Sequence, residues 1–219
     1  MICNVASSMS KRSVWVSDAI INVRMLRPIT HSFDDGLFGE KMDFAINAKR
    51  ANHAGQALSA DHFPPEIFVK KDADTNYDTL PDLFFAGSYW VVSGGVAEIM
   101  RRYDLGQGGL YPTKVFRKDR KTPIGDERFC LNFGNTKTAF VPQDSKQVYP
   151  FGSGKTNRWR IVDPPKDNAL VTRETALDGP AIWIDSSLFD MFFVHGELRD
   201  ALKDAGLARP LGFRKCKVV

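Results

Sequence analysis

Apolar residues in this chain fall in short runs, and two of the runs share one pattern. Residues 89–116 read YWVVSGGVAEIMRRYDLGQGGLYPTKVF, and residues 190–218 read DMFFVHGELRDALKDAGLARPLGFRKCKV. A shift of 102 positions lays Val92 on Val194, Gly94 on Gly196 and Leu105 on Leu207. It also pairs Val96 with Leu198, Met100 with Leu202, Tyr111 with Phe213 and Phe116 with Val218. Each copy predicts an apolar strand, a polar stop at Ser93 or His195, a short helix and a second strand. Strand–helix–strand is a common arrangement, so the match is either a repeated unit or a coincidence.

The remaining pattern supplies the other elements. Alternation of Phe129, Leu131 and Phe133 predicts a strand over 127–134 with those three on one face. Further strands are expected at 14–18, 66–70, 110–116, 158–163, 181–185, 192–195 and 211–219, and residues 82–92 are apolar enough to be buried. A helix over 40–58 carries Met42, Ala45, Ile46 and Ala54 at apolar spacing and ends near Gly55. Residues 19–27 read as a short helix. Ser93 caps a helix over 94–103, and a helix over 196–205 turns Leu198, Ala201 and Leu202 inward before Gly206 closes it. Asp34-Asp35-Gly36 signals a turn, 72–81 and 145–157 read as loops, and 117–125 forms a hairpin tip. The element order predicts an α+β architecture, a mostly antiparallel sheet with short helices. Residues 1–75 are expected to pack as an amino-terminal segment on a main body over 76–219.

Composition narrows the function classes without choosing one. With 219 residues, 43% hydrophobic and 26% charged, the chain buries a substantial core. Its net charge of +4 is mild for a nucleic-acid binder, so no nucleic-acid partner is expected. Cys3, Cys130 and Cys216 are odd in number and widely spaced, which argues against a disulfide framework or zinc site and fits a reducing compartment. The first residues lack a signal-peptide apolar run, and nowhere do 18 apolar residues stand together, so a cytoplasmic protein without a membrane span is expected.

Motif candidates mostly fail on their own chemistry. Gly152-Ser153-Gly154-Lys155-Thr156 resembles the end of a phosphate-binding loop, but Tyr149 stands where that loop needs glycine, and a strand follows instead of a helix. It reads as a surface turn. Asp72, Asp74, Asn76 and Asp78 alternate like a calcium loop, yet Tyr77 replaces the turn glycine and Leu83 the bidentate acid. The four histidines, at 31, 53, 62 and 195, show no ligand spacing, and no nucleophile elbow surrounds any serine. No catalytic residue, cofactor or metal is therefore expected.

Surface chemistry leaves ten candidates for partner binding. Asp72, Asp74 and Asp78 make an acidic loop, while Arg117, Lys118, Arg120 and Lys121 make the hairpin tip basic. Opposite in sign, either could steer a charged partner. Arg158, Trp159 and Arg160 offer the arginine and tryptophan anchors that interfaces favour, unless Trp159 packs inward.

One resemblance adds to this reading. It rests on Pro81-Asp82-Leu83-Phe84 leading into Trp90-Val91-Val92-Ser93, then on Ile182-Trp183-Ile184-Asp185 and Phe192-Phe193-Val194. The helix from Glu197 to Lys203 and the ending Ala205-Gly206-Leu207 with Phe213 complete it. These segments resemble an immunity-protein family first noticed beside a myxobacterial toxin gene and once classed as a domain of unknown function. The likeness covers residues 80–219; His195 stands where the family usually has serine, and Ala208-Arg209-Pro210 where it has Thr-Gly. The resemblance implies a bacterial antitoxin of the polymorphic or type VI secretion toxin systems. Such a protein neutralises a cognate toxin by direct binding and active-site occlusion, without enzymatic activity. Two alternatives stay open: an enzyme that reverses or degrades a toxin product, and a regulatory or structural module unrelated to toxins.

Overall fold

The computed structural model describes residues 12–33, 40–74, 77–87, 89–152 and 157–219. The Asp34-Asp35-Gly36 turn, the core of the Gly152–Thr156 segment, Asn76 and Cys3 lie outside the described residues. The chain opens with β1 (Val14–Ser17), β2 (Ile29–His31) and the helix α1 (Glu40–His53), then β3 (Glu66–Val69). A hairpin of β4 (Leu83–Ala86) and β5 (Tyr89–Ser93) runs directly into α2 (Gly94–Met100), followed by β6 (Gly109–Phe116) and β7 (Arg128–Asn132). Short strands β8 (Thr136–Lys137), β9 (Tyr149–Pro150), β10 (Trp159–Arg160) and β11 (Val171–Thr172) fill the middle. A second hairpin, β12 (Ile182–Asp185) and β13 (Phe192–His195), runs into α3 (Gly196–Asp204), then β14 (Phe213–Lys215) and β15 (Lys217–Val218). The class is α+β with mostly antiparallel pairing, as the pattern predicts.

The repeat is present and larger than the sequence suggests. One sheet runs β2-β3-β6-β7-β5-β4 and the other β14-β1-β13-β12-β8. Within them, β6-β7-β5-β4 and β14-β1-β13-β12 are the same antiparallel four-strand unit. Registers agree. Val92 faces Phe129 and Leu83, as Val194 faces Trp15 and Ile182. The helix starts agree too: the Gly94 N–H donates to the Glu127 carbonyl at 3.0 Å, and the Gly196 N–H to the Ser13 carbonyl at 2.7 Å. In the first copy β7 follows β6 in sequence, whereas in the second its place is taken by β1 from the other end of the chain. The final strand is offset by one extra residue: Tyr111 pairs Cys130, but Val16 pairs Arg214 rather than Phe213. That residue is absorbed in the connection holding left-handed Gly212.

Alternation assigns each side chain to one of three cores. Trp90, Val92, Phe192 and Val194 point, with Leu83 and Phe129, into a central core closed by Val96 and Met100 of α2 and Leu198 and Leu202 of α3. Phe129, Leu131 and Phe133 share that face as expected. Behind the first sheet lie Phe84, Val91, Cys130 and Ile67; behind the second lie Val14, Val16, Trp183 and Phe193. The aromatic residue at matching places in the two units is covered by an arginine, Arg101 just after α2 lying 4.4 Å over Phe129 and Arg199 of α3 lying 3.8 Å over Trp15.

Several expectations are corrected. The described residues of the 1–75 segment do not pack on a finished body, because β1 is an interior strand of one sheet and β2 and β3 extend the other. Residues 19–27 form two separate 3-10 turns, split at extended Asn22, whose side chain accepts from the Arg24 N–H. The strand at 158–163 shrinks to β10, since Pro164 and Pro165 follow and cannot donate to a ladder. The closing strand breaks at Cys216, where the chain leaves β1 and pairs in parallel with β11.

Two left-handed glycines separate backbone strain from collision. A Cβ at Gly206 (φ 75°) would meet nothing within 4 Å, whereas one at Gly212 (φ 56°) would collide with the Asp18 carboxylate. Gly206→Ala should cost about 1–2 kcal/mol, the strain of the left-handed region alone. Gly212→Ala should cost clearly more in urea unfolding, because Asp18 is buried and holds Arg214 at 2.8 Å. Equal losses for the two variants would refute this account.

Candidate functional site

Most polar chemistry in the interior is engaged in holding the fold. The Asp185 carboxylate, fully buried at the end of β12, accepts from the Ala139 and Phe140 N–H groups at 2.8 Å each and from the Ser187 N–H and hydroxyl at 3.1 and 2.6 Å. Asn52 of α1 donates to the Leu131 carbonyl at 2.9 Å while its own carbonyl accepts from Asn132 and from the Phe133 N–H. These bonds pin the last turn of α1 to the end of β7. Burial raises the thiols of Cys130 and Cys216 to about 12, which makes both inert packing residues.

Lys137 and His195 form a second internal group. The ammonium of Lys137 lies 3.6 Å over the Trp183 ring and donates to the carbonyls of Ala176 and Asp178 at 3.1 and 2.6 Å. Burial pulls it down to about 8. His195 stands 3.3 Å from that ammonium, with Nε2 3.0 Å from the Ala176 carbonyl. Burial first, then the Lys137 charge, lower its pKa. As the stop residue before α3 it matches Ser93 in place, but only Ser93 caps its helix through the side chain, accepting from the Val96 N–H.

The main cavity, about 770 Å³, opens between the end of α1 and the β12–β13 hairpin of the second sheet. Lys49, Arg50 and His53 descend from α1, and the residue 186–190 turn between β12 and β13 forms the opposite wall. His53 Nδ1 lies 3.1 Å from the Asp190 carboxylate, and Asp190 reaches it from a left-handed backbone conformation (φ 57°). Arg158 closes one side. Its position follows from β10, whose Trp159 N–H donates to the Ser187 carbonyl while the Trp159 carbonyl accepts from the Phe189 N–H, both at 2.7 Å. The Arg158 guanidinium sits 5.0 Å over Phe189 and 5.4 Å over Phe151, two rings stacked at 4.3 Å.

The ten candidates from the sequence fall into two places. The acidic loop and the basic tip meet each other: Arg117 pairs with Asp78 at 2.9 Å, and the Lys118 ammonium donates to the Ala73 carbonyl. Arg120 covers the Phe68 ring at 4.0 Å, and the Asp119 side chain accepts from the Lys121 N–H to shape the tip. Asp72 and Asp74 are exposed on the facing loop. Of the other three, Arg158 lines the cavity, Trp159 packs half-buried against the second sheet's core, and Arg160 is exposed. The sequence reading missed Lys49, Arg50, His53 and Asp190. A basic last turn on a predicted helix was its only signal for any of them.

Among the described residues there is no group of three or more His, Cys, Asp or Glu side chains placed to hold a metal ion. Nor is any helix of them long and apolar enough to cross a membrane. No family model matches the chain, and no curated protein matches it.

Two measurements test this assignment of roles. Because the folded pKa of His195 is depressed below 6.5, its stabilising effect is present above pH 6.5 and lost as pH falls through the depressed value. Melting curves from neutral to mildly acidic pH should show that loss, and His195→Gln should flatten it; an unchanged slope would contradict the assignment. A double-mutant cycle on Arg117 and Asp78, an exposed pair, should give a coupling of only about 0.2–1 kcal/mol. A coupling several times larger would make the loop-to-tip contact a structural clamp.

Proposed function

We propose that the protein is an immunity protein: a bacterial, cytoplasmic antitoxin that binds a cognate toxin one to one and covers its active site. The observation that carries this reading is how the polar groups are divided. Asp185, Asn52 and Lys137 spend their hydrogen bonds on the fold's own backbone and side chains, while cations gather at a concave surface beside stacked aromatic rings. Arginine and aromatic anchors in a cleft are what protein interfaces favour. A rigid frame of two sheets supports the surface, so binding requires little reordering. Resemblance of residues 80–219 to the immunity-protein family points the same way. A stable complex needs about 1,200–2,000 Å² of total buried surface, which a chain of this size supplies.

One observation favours a second reading. His53, oriented by Asp190 in a cavity of small-molecule size, is an acid–base pair suited to an enzyme that removes a toxin product. The two readings separate on one variant. Co-expression with the toxin from the adjacent reading frame should rescue growth and yield a complex at equal stoichiometry. His53→Ala should keep rescue in step with complex formation. Rescue without any complex, abolished by His53→Ala, would establish the enzyme instead.

A further inference from the structure

We propose that the cavity under α1 receives an acidic segment of the toxin, with its carboxylates bound by Arg50 and Arg158. This deepens the antitoxin reading and rests on it.

The inference starts from charge. Lys49 and Arg50 stand on one wall of the cavity and Arg158 on the other. The carboxylates that share the space are already committed: Asp185 to the Ala139 and Phe140 amides and Ser187, and Asp190 to His53. Among the described residues, no carboxylate forms an ion pair with Arg50 or Arg158. The three cations of the lining, Lys49, Arg50 and Arg158, outnumber its two carboxylates, Asp185 and Asp190, and the Asp185 charge is turned toward the Ala139 and Phe140 amides, so the occupant the cavity favours is anionic.

Geometry narrows the occupant further. Arg158 is held by its backbone anchor on the 187–189 turn and by the rings of Phe151 and Phe189, so its planar fork loses little freedom on binding a carboxylate. The same cavity is lined by Ile46, Ile184 and Leu188, which suits an aliphatic or aromatic side chain beside the acid. By contrast, the basic hairpin tip faces its own acidic loop, and Arg117 already holds Asp78. At the tip the Arg117 charge is met within the chain, whereas among the described residues no carboxylate pairs with Arg50 or Arg158.

The test uses the full chain and the adjacent gene's toxin, with affinity measured for wild type, Arg50→Glu, Arg158→Glu and a control, Lys203→Glu at an exposed position of α3. Each cavity reversal should weaken binding about tenfold or more, the control should not, and wild-type affinity should fall with added salt. Matching melting curves would show that the variants are folded. Reversing the toxin's acidic residue to lysine should restore binding to the Arg158→Glu variant. If both cavity variants bind as wild type does, the cavity proposal is overturned while the antitoxin reading stands. If wild type forms no complex, both fall. If the isolated protein binds inorganic phosphate at the cavity and toxin affinity ignores the reversals, the site belongs to a small anion and the proposal is overturned.

Discussion

The fold depends on β1 having a ladder on each side. Strand β13 and strand β14 are both antiparallel to it, and without it each would expose a row of unpaired backbone groups in the interior of a sheet. Val14 and Val16, fully buried on one face, also lock the register, since a slip of one residue would turn them into the central core and Trp15 away from it. The Cys216 N–H donates to the Val14 carbonyl at 2.9 Å, extending the contact to the point where the chain turns toward β11. Everything on the second sheet, including the β12–β13 turn that walls the cavity, is positioned through this strand.

Between the sheets the two helices form a shared core, in which equivalent positions of the repeat meet. Val96 and Leu198, Met100 and Leu202 are each fully buried there. Neither unit would bury its helix face alone, so each serves as the other's cover. The polar residues reinforce this junction: Asn52 ties α1 to the first sheet, and Asp190 on the second sheet holds His53 of the same helix. Helix α1 therefore bridges both units, and its basic final turn lies across the join between them.

Much of this was legible in the sequence. Small residues at helix starts (Gly94, Gly196), apolar pairs four apart and the polar stops before them encode the two hairpin–helix segments locally, and the structure reproduces them in register. The strand at 14–17 was legible, but its place in the second unit was not, because those residues carry nothing that marks β13 and β14 as their partners. The cavity escaped for the same reason: residues 46–54, 158 and 184–190 meet only through sheet closure. Opposite charge in the 72–78 loop and the 117–121 tip was evident, but not that β3 and β6 are parallel neighbours that bring the two loops together. Periodicity reports which face of an element is apolar; it does not report the neighbour.

The division of the second unit between distant parts of the chain sets the order in which the molecule can assemble. By residue 132 the first unit has all four of its strands and its helix, and it can collapse while synthesis continues. The second must hold β1 unpaired until β13 emerges and unpaired on its other side until β14 follows, and Ser17 finds the Leu211 carbonyl at a separation of 194 positions. Loop closure over that span is entropically costly and slow. Nascent chains thus carry a valine-rich strand that waits for its place, and it is there that a chaperone has most to protect.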